Sequence, residues 1–108
     1  MEFHRYQELS RKTAIYPDTH RIIYPVLGLV SEAGEVADKV KKVIRDKKAE
    51  FSWDDREAIR KELGDVLWYV SQIASDLDFA LDSVAMTNLE KLRLRQEQGK
   101  LHGSGDDR

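Results

Sequence analysis

The chain has 108 residues, of which 41% are hydrophobic and 35% are charged, and it carries a formal net charge of −2 and no cysteine. This length suits a single domain, and a charged fraction above the usual quarter favours a helical protein with charged outer faces. The mixed charges exclude an overall basic field that would attract nucleic acid or membrane. The lack of cysteine excludes a disulfide framework and thiolate chemistry.

Hydrophobic periodicity predicts four helices and no strand. The first helix covers about residues 2–14. It is followed by a linker, IYPDTHRIIYP, which two prolines interrupt. The second helix begins near Pro25, because proline is tolerated in the first turn of a helix, and it runs to about Asp46.

The third and fourth helices follow a break at DKKAEFSW. Ser52 and Asp55 resemble a capping box, which predicts a third helix from about 53 to 77 and a fourth from about 81 to 98. The tail, GKLHGSGDDR, is polar and rich in glycine. We therefore predict two parts of the chain: a helical domain at 1–98 and a glycine-rich tail at 99–108.

The sequence contains no candidate membrane segment. No hydrophobic run approaches the length that spans a bilayer. The opening residues, MEFHRYQEL, have neither the hydrophobic core nor the cleavage site of a signal peptide. We expect a cytoplasmic protein without a membrane or nucleic-acid partner.

Two acidic pairs occupy matching positions on the second and third helices. SEAGEVADKV contains Glu32 and Glu35, and KELGDVLWYV contains Glu62 and Asp65. At about 100° per residue, each pair borders the hydrophobic stripe of its own helix, away from the fully solvated side. A short connection makes the two helices antiparallel neighbours, so the four carboxylates can face one another across a groove.

A glycine lies inside each acidic pair. A glycine in the middle of a helix costs about 1 kcal/mol relative to alanine, so Gly34 and Gly64 at matching positions require a reason. We predict that they allow close approach of backbone or of a neighbouring helix, for packing or for the site.

Four carboxylates in one cleft repel each other, and protons or cations must relieve the repulsion. Lys39, Arg60 and Lys61 could supply part of the positive charge. A single acidic pair is usually a solvated helix face, but two pairs in the same angular register favour a metal site. Clusters of oxygen ligands suit hard divalent cations, so we predict Mg²⁺, with Mn²⁺ as the alternative, in preference to Zn²⁺.

The two motifs resemble those of the MazG-like all-α nucleoside triphosphate pyrophosphohydrolases. LGLVSEAGEVADKVKK and KELGDVLWYV read like the second and third helices of that family, and NLEKLRLR with the tail resembles the end of its short phage and bacterial members. The similarity covers about residues 20–108. It implies an all-α four-helix bundle whose subunits share a core in a homodimer or homotetramer, located in the host cytoplasm if a phage encodes it.

The resemblance also implies a reaction. Such enzymes hydrolyse a nucleoside triphosphate between the α and β phosphates, giving the monophosphate and pyrophosphate, and deoxynucleotides are the expected substrates. The implied metal ligands are Glu32, Glu35, Glu62 and Asp65. Glu32 or Glu35 is then the catalytic residue that orients or deprotonates the attacking water. Two alternatives stay open: a phosphoribosyl-ATP pyrophosphohydrolase, and a non-catalytic helical adaptor whose acidic groove binds a basic partner or a structural cation.

Phosphate-binding residues are expected on two helices. Lys39 lies between the two glutamates of the second helix on the same face. Asn88, Lys91 and Arg95 share one face of the fourth helix, where the family places asparagine and basic residues that hold phosphates. Ordinary solvated charge is the alternative for Lys91 and Arg95.

Three residues are candidates for contact with the nucleotide base: His20, Tyr24 and Tyr69. Trp68 is predicted to point away from the acids and to pack against another helix or subunit. His102 and Arg108 lie in the tail and would contact phosphate if the tail folded over the site.

Overall fold

The computed structural model describes residues 1–99. These residues form four α-helices and no strand, which confirms the predicted all-α fold class: α1 Phe3–Arg11, α2 Ile23–Lys47, α3 Trp53–Asp76 and α4 Leu81–Glu97. None of these four helices has the length and hydrophobicity that crossing a membrane requires. His102, Arg108 and the predicted tail after Gly99 lie outside the described residues.

The connection between α1 and α2 contains a 3-10 turn at Asp18–His20 and ends in a strained residue. Ile22 has φ 68° and ψ −56°, and the Ile23 N–H donates to the Arg21 carbonyl at 2.7 Å. This is a γ-turn with positive φ, a conformation that is rare and costly for a β-branched residue. Helix α2 begins at Ile23, two residues earlier than predicted, and Pro25 is buried in its first turn.

The start of α3 has the predicted capping box. The Ser52 hydroxyl accepts from the Asp55 N–H, and the Asp55 carboxylate accepts from the Ser52 N–H at 2.9 Å. Lys47 at the end of α2 donates to the same carboxylate at 2.7 Å. The hydrogen bonds from Lys47 and Ser52 lower the pKa of Asp55 to about 2. They also tie the end of α2 to the start of α3.

Helices α2 and α3 pair antiparallel and make the most extensive interhelical contact of the described chain. One edge of the α2 stripe packs on α3, where Val43 is buried. The other edge stays open, since Val30 is 68% exposed on α2 and Leu63 is 53% exposed on α3. Much of the hydrophobic surface predicted to be buried is therefore not covered within one chain.

Helices α1 and α3 meet through buried polar side chains. Ser71 and Gln72 are fully enclosed on α3, and Ser10 is buried on α1. The Ser10 hydroxyl lies 3.2 Å from that of Ser71 and accepts from the Gln72 amide at 3.1 Å. Gln7 of α1 donates to Ser75 at 3.0 Å. Paired hydroxyls and amides can be buried because each polar atom has a partner.

Gly28 is the glycine that has a close neighbour. The close approach predicted at Gly34 and Gly64 is absent among the described residues, so that prediction is wrong there. A Cβ added at Gly34 or Gly64 would meet nothing within 4 Å. A Cβ at Gly28 would lie 2.1 Å from Cε1 of Tyr69. Spacing along the helix could not reveal this contact, because it depends on the register between α2 and α3.

Candidate functional site

Three of the four predicted metal ligands converge on one point. Glu32 of α2 and Glu62 and Asp65 of α3 each bring one carboxylate oxygen within 4.8 Å of the other two. The antiparallel register of α2 and α3 produces this cluster, which we call the acidic cluster. Glu35, one turn further along α2, is exposed and is not part of it.

The acidic cluster is electrostatically strained. Burial, then a hydrogen bond with Glu62, then the charges of Asp65, Glu62 and Glu35 raise the pKa of Glu32. Lys39 offsets part of this charge, with its Nζ 3.6 Å from Glu62 Oε1. A set of oxygen ligands that shares too much negative charge fits a hard divalent cation such as Mg²⁺ or Mn²⁺.

The acidic cluster opens into a hollow of about 320 Å³, lined by Thr13, Glu32, Asp65, Trp68 and Tyr69. Trp68 meets the turn after α1, where its Nε1–H donates to Thr13 Oγ1 at 2.8 Å. The prediction that Trp68 lies away from the acids is wrong. Trp68 follows Asp65 by three residues, so the two side chains are neighbours on the helix surface.

Four aromatic rings extend the wall of this hollow, and we call them the aromatic cluster: Tyr16, Tyr24, Trp68 and Tyr69. Tyr16 stacks on Tyr24 with ring centroids 4.9 Å apart and planes 15° apart. Tyr69 meets the edge of Trp68 at 5.0 Å and lies 6.5 Å from Tyr24. Burial, then the Tyr24 hydroxyl and the charge of Glu32, raise the pKa of Tyr69. The aromatic cluster therefore borders the acidic cluster through Tyr69.

The remaining predicted residues lie on other elements, in the 3-10 turn and on α4. His20 is exposed in the 3-10 turn, where Nδ1 lies 3.1 Å from the Thr19 hydroxyl. Asn88 and Lys91 belong to a second hollow, of about 410 Å³, whose other lining residues are Phe79, Ser83, Val84 and Thr87. Arg95 is buried on α4. Among the described residues, none of the three predicted phosphate-binding residues of α4 lines the hollow at the acidic cluster.

Sequence analysis missed three residues of the site: Thr13, Tyr16 and Gly28. The linker did contain a signal for Tyr16, since IYP occurs twice and places Tyr16 and Tyr24 in the same local context. Thr13 and Gly28 carried no such signal. Their roles depend on which helices pack together.

The model of the MazG nucleotide pyrophosphohydrolase domain matches residues 22–99. The chain belongs to this family. The MazG match spans α2, α3 and α4 with all three residues of the acidic cluster, whereas α1 lies outside it.

The chain is also similar to a phage protein over almost the whole length of both. The Gene 37 protein of Mycobacterium phage L5 is 45% identical over 109 residues, which cover 95% of this chain and 96% of that protein. No solved structure matches the chain. Membership of the MazG family confirms the predicted resemblance and the all-α fold class, and it supports a nucleotide pyrophosphohydrolase activity.

Proposed function

We propose that this MazG protein hydrolyses a nucleoside triphosphate, preferably a deoxynucleotide, to the monophosphate and pyrophosphate. The observation that carries the proposal is the convergence of Glu32, Glu62 and Asp65 oxygens within 4.8 Å, in a chain of the nucleotide pyrophosphohydrolase family. Control of the nucleotide pool or removal of unwanted bases is the corresponding cellular role.

The acidic cluster is the proposed metal site. Glu32, Glu62 and Asp65 would hold Mg²⁺, with Glu35 as the predicted fourth ligand or as the residue that contacts water. When bound, the cation supplies positive charge that offsets the triphosphate and activates water.

Glu35 is the better candidate for the catalytic base, because it lies outside the acidic cluster and keeps its carboxylate available. It accepts a proton from the attacking water. The water oxygen bonds to the α-phosphorus as the bond from that phosphorus to the oxygen bridging to the β-phosphate breaks. Pyrophosphate leaves with that oxygen, and no covalent enzyme intermediate is required.

Lys39 is the proposed phosphate contact nearest to the acids, since it lies 3.6 Å from Glu62. Asn88, Lys91 and Arg95 retain their predicted phosphate-binding role as part of the proposal. Because Asn88 and Lys91 line a separate hollow, this role requires α4 of a second copy to approach the acids.

The base is proposed to contact Tyr24 and Tyr69, with His20 at the edge of the same region. Tyr24 is 45% exposed, so part of its ring remains available for stacking. Aromatic side chains stack on any base, and the surrounding polar groups then determine preference.

A homodimer or homotetramer is the proposed assembly. The open edge of the α2–α3 stripe exposes large hydrophobic side chains of both helices: Leu27, Val30, Ile44, Leu63 and Leu67. A continuous hydrophobic surface of this kind is typical of a contact between copies of a helical protein.

The test is pyrophosphate release from the four deoxynucleoside triphosphates and from phosphoribosyl-ATP, with Mg²⁺. Wild type should act on the deoxynucleotides. Asp65→Asn should reduce the rate about 10²- to 10³-fold, as when a group that stabilises transition-state charge is removed. Asp65 is exposed, so the variant should keep its helical content.

Glu50→Gln is the matched control, since Glu50 is an exposed acid in the turn between α2 and α3. It should leave the rate unchanged. Wild type that releases no more pyrophosphate than Asp65→Asn or a sample without protein would instead favour the adaptor. Activity confined to phosphoribosyl-ATP would favour the phosphoribosyl-ATP pyrophosphohydrolase.

A further inference from the structure

The last turn of α3 contains a buried acid that the proposed reaction does not use. The side chain of Asp76 is fully enclosed, with 0% exposure. Its Oδ1 accepts from Arg11 Nη2 at 2.8 Å, and its Oδ2 accepts from the Tyr16 hydroxyl and from the Ile22 N–H, each at 2.8 Å. Arg21 Nε lies 3.6 Å from Oδ1.

These contacts reach three separate parts of the chain, namely α1, the linker and the start of α2. Burial alone would raise the pKa of Asp76, but the hydrogen bonds from Ile22, Tyr16 and Arg11 outweigh it and lower the pKa. Asp76 is therefore charged at neutral pH. A charged acceptor with several donors is among the stronger polar contacts in a protein.

Two of the contacts determine the position of the Tyr16–Tyr24 stack. Tyr16 is held directly through its hydroxyl. Tyr24 is held indirectly, because Asp76 accepts the N–H of Ile22, the strained centre of the γ-turn that leads into α2. Strain of this kind persists only where the surrounding structure over-determines it, and Asp76 provides that constraint.

The stack lies against the proposed nucleotide site. Tyr16 approaches Trp68 edge-on at 6.4 Å, and Tyr24 lies 6.5 Å from Tyr69. Trp68 and Tyr69 line the hollow that contains the acids. A shift of the linker would move Tyr16 directly and Tyr24 through the first turn of α2, whereas Glu32 lies about two turns further along that helix.

We propose that Asp76 is a positioning residue for base recognition, which fixes the Tyr16–Tyr24 stack and so sets the enzyme's preference among nucleotide bases. This inference rests on the proposed function. Asp76 touches neither the metal site nor the phosphates. Its loss should alter base binding more than the chemical step.

The experiment compares Asp76→Asn with Asp78→Asn, an exposed acid two residues away whose positive φ asparagine tolerates. KM and kcat are measured for dATP, dCTP, dGTP and dTTP with Mg²⁺. Asp76→Asn should raise KM for the best substrate about tenfold, because a displaced binding group loses alignment, and the ratio between best and worst substrates should narrow. kcat at saturation should stay within about twofold of wild type.

Tyr16→Phe is the second variant, and it keeps the ring while removing a single hydrogen bond. It should raise KM about fivefold in the same direction, less than Asp76→Asn does, because the ring and the other contacts of Asp76 remain. This variant decides the question if Asp76→Asn does not fold, which thermal melting by circular dichroism would show.

The outcomes separate the two proposals. If wild type hydrolyses none of the four nucleotides, the proposed function fails and the role of Asp76 fails with it. If wild type is active but the folded variants keep its base ratios, or lose kcat equally for all four bases, only the positioning role is overturned.

Discussion

Helix α3 packs against α1 and against α2 with different side chains. Toward α1 it presents buried hydroxyl, amide and carboxylate groups, such as Ser71, Gln72 and Asp76. Toward α2 it presents hydrophobic side chains, and two of them, Leu63 and Leu67, stay exposed. The hydrogen-bonded interface is complete within one chain, because its polar atoms find partners there.

This difference explains the location of the acids. The acidic cluster lies where the two interfaces meet, with Glu32 from α2 on one side and Thr13 from the turn after α1 on the other. Hydrogen bonds between α1 and α3 require fixed directions, whereas hydrocarbon contacts between α2 and α3 do not. The polar interface between α1 and α3 is thus suited to position the aromatic cluster. The hydrophobic surface of α2 and α3 is suited to bind another chain.

The largest effect is expected from a charge placed in the open hydrophobic edge. Val30→Lys should dissociate the oligomer, because Val30 is 68% exposed in one chain but would be buried between copies. Sedimentation should show a smaller species, and pyrophosphate release should fall if α4 of a second copy supplies phosphate contacts.

Glu50→Lys adds the same side chain in an exposed turn, and it should change neither the sedimentation nor the rate of pyrophosphate release. A Val30→Lys protein with unchanged sedimentation would show that this edge is not an interface between copies.

A smaller effect is expected at the contact between α2 and Tyr69. Gly28→Ala should lower the free energy of unfolding by about 3 kcal/mol, because the new methyl overlaps the Tyr69 ring and forces repacking. It should also raise KM for nucleotides, since Tyr69 lines the hollow. Chemical denaturation and steady-state kinetics measure the two effects.

Gly34→Ala provides the matched comparison on the same helix. Its methyl meets nothing within 4 Å in the described chain, so the free energy of unfolding should rise by up to about 1 kcal/mol. A decrease would indicate that another copy covers this part of α2.

The smallest effect is expected in the polar interface. Gln72→Leu should lower the free energy of unfolding by about 1 to 2 kcal/mol, because it removes the amide that bonds to Ser10 and Arg11. Adding Ser10→Ala should recover part of this loss, since matched removal of both partners leaves fewer unpaired polar atoms. Urea denaturation of the single and double variants gives the coupling energy, and strictly additive losses would contradict a direct pairing.

The four helices and the acidic cluster could be predicted from patterns within one helix or one short connection. Periodicity predicted the four helices, Ser52 and Asp55 predicted the start of α3, and the spacing of the acidic pairs predicted that Glu32 meets Glu62 and Asp65. These features depend on one helix or on one short connection.

The missed features depend on how distant segments pack. Trp68 was placed only by its angle from Glu62 around α3, but the turn after α1 closes the other side of the hollow through Thr13. The partners of Asp76 lie 54 to 65 residues away in the sequence. No periodic pattern encodes such a contact, because a buried carboxylate and an exposed one look alike in a helical sequence.

The open edge of the hydrophobic stripe and the acidic cluster point in different directions from the same pair of helices. Val30 lies about 160° around α2 from Glu32. Substitutions along the hydrophobic edge therefore leave the carboxylates of each chain in place. They would reach the chemistry only by removing the phosphate contacts that a second copy supplies, so evolution of this edge is constrained by the shared site and not by the metal ligands.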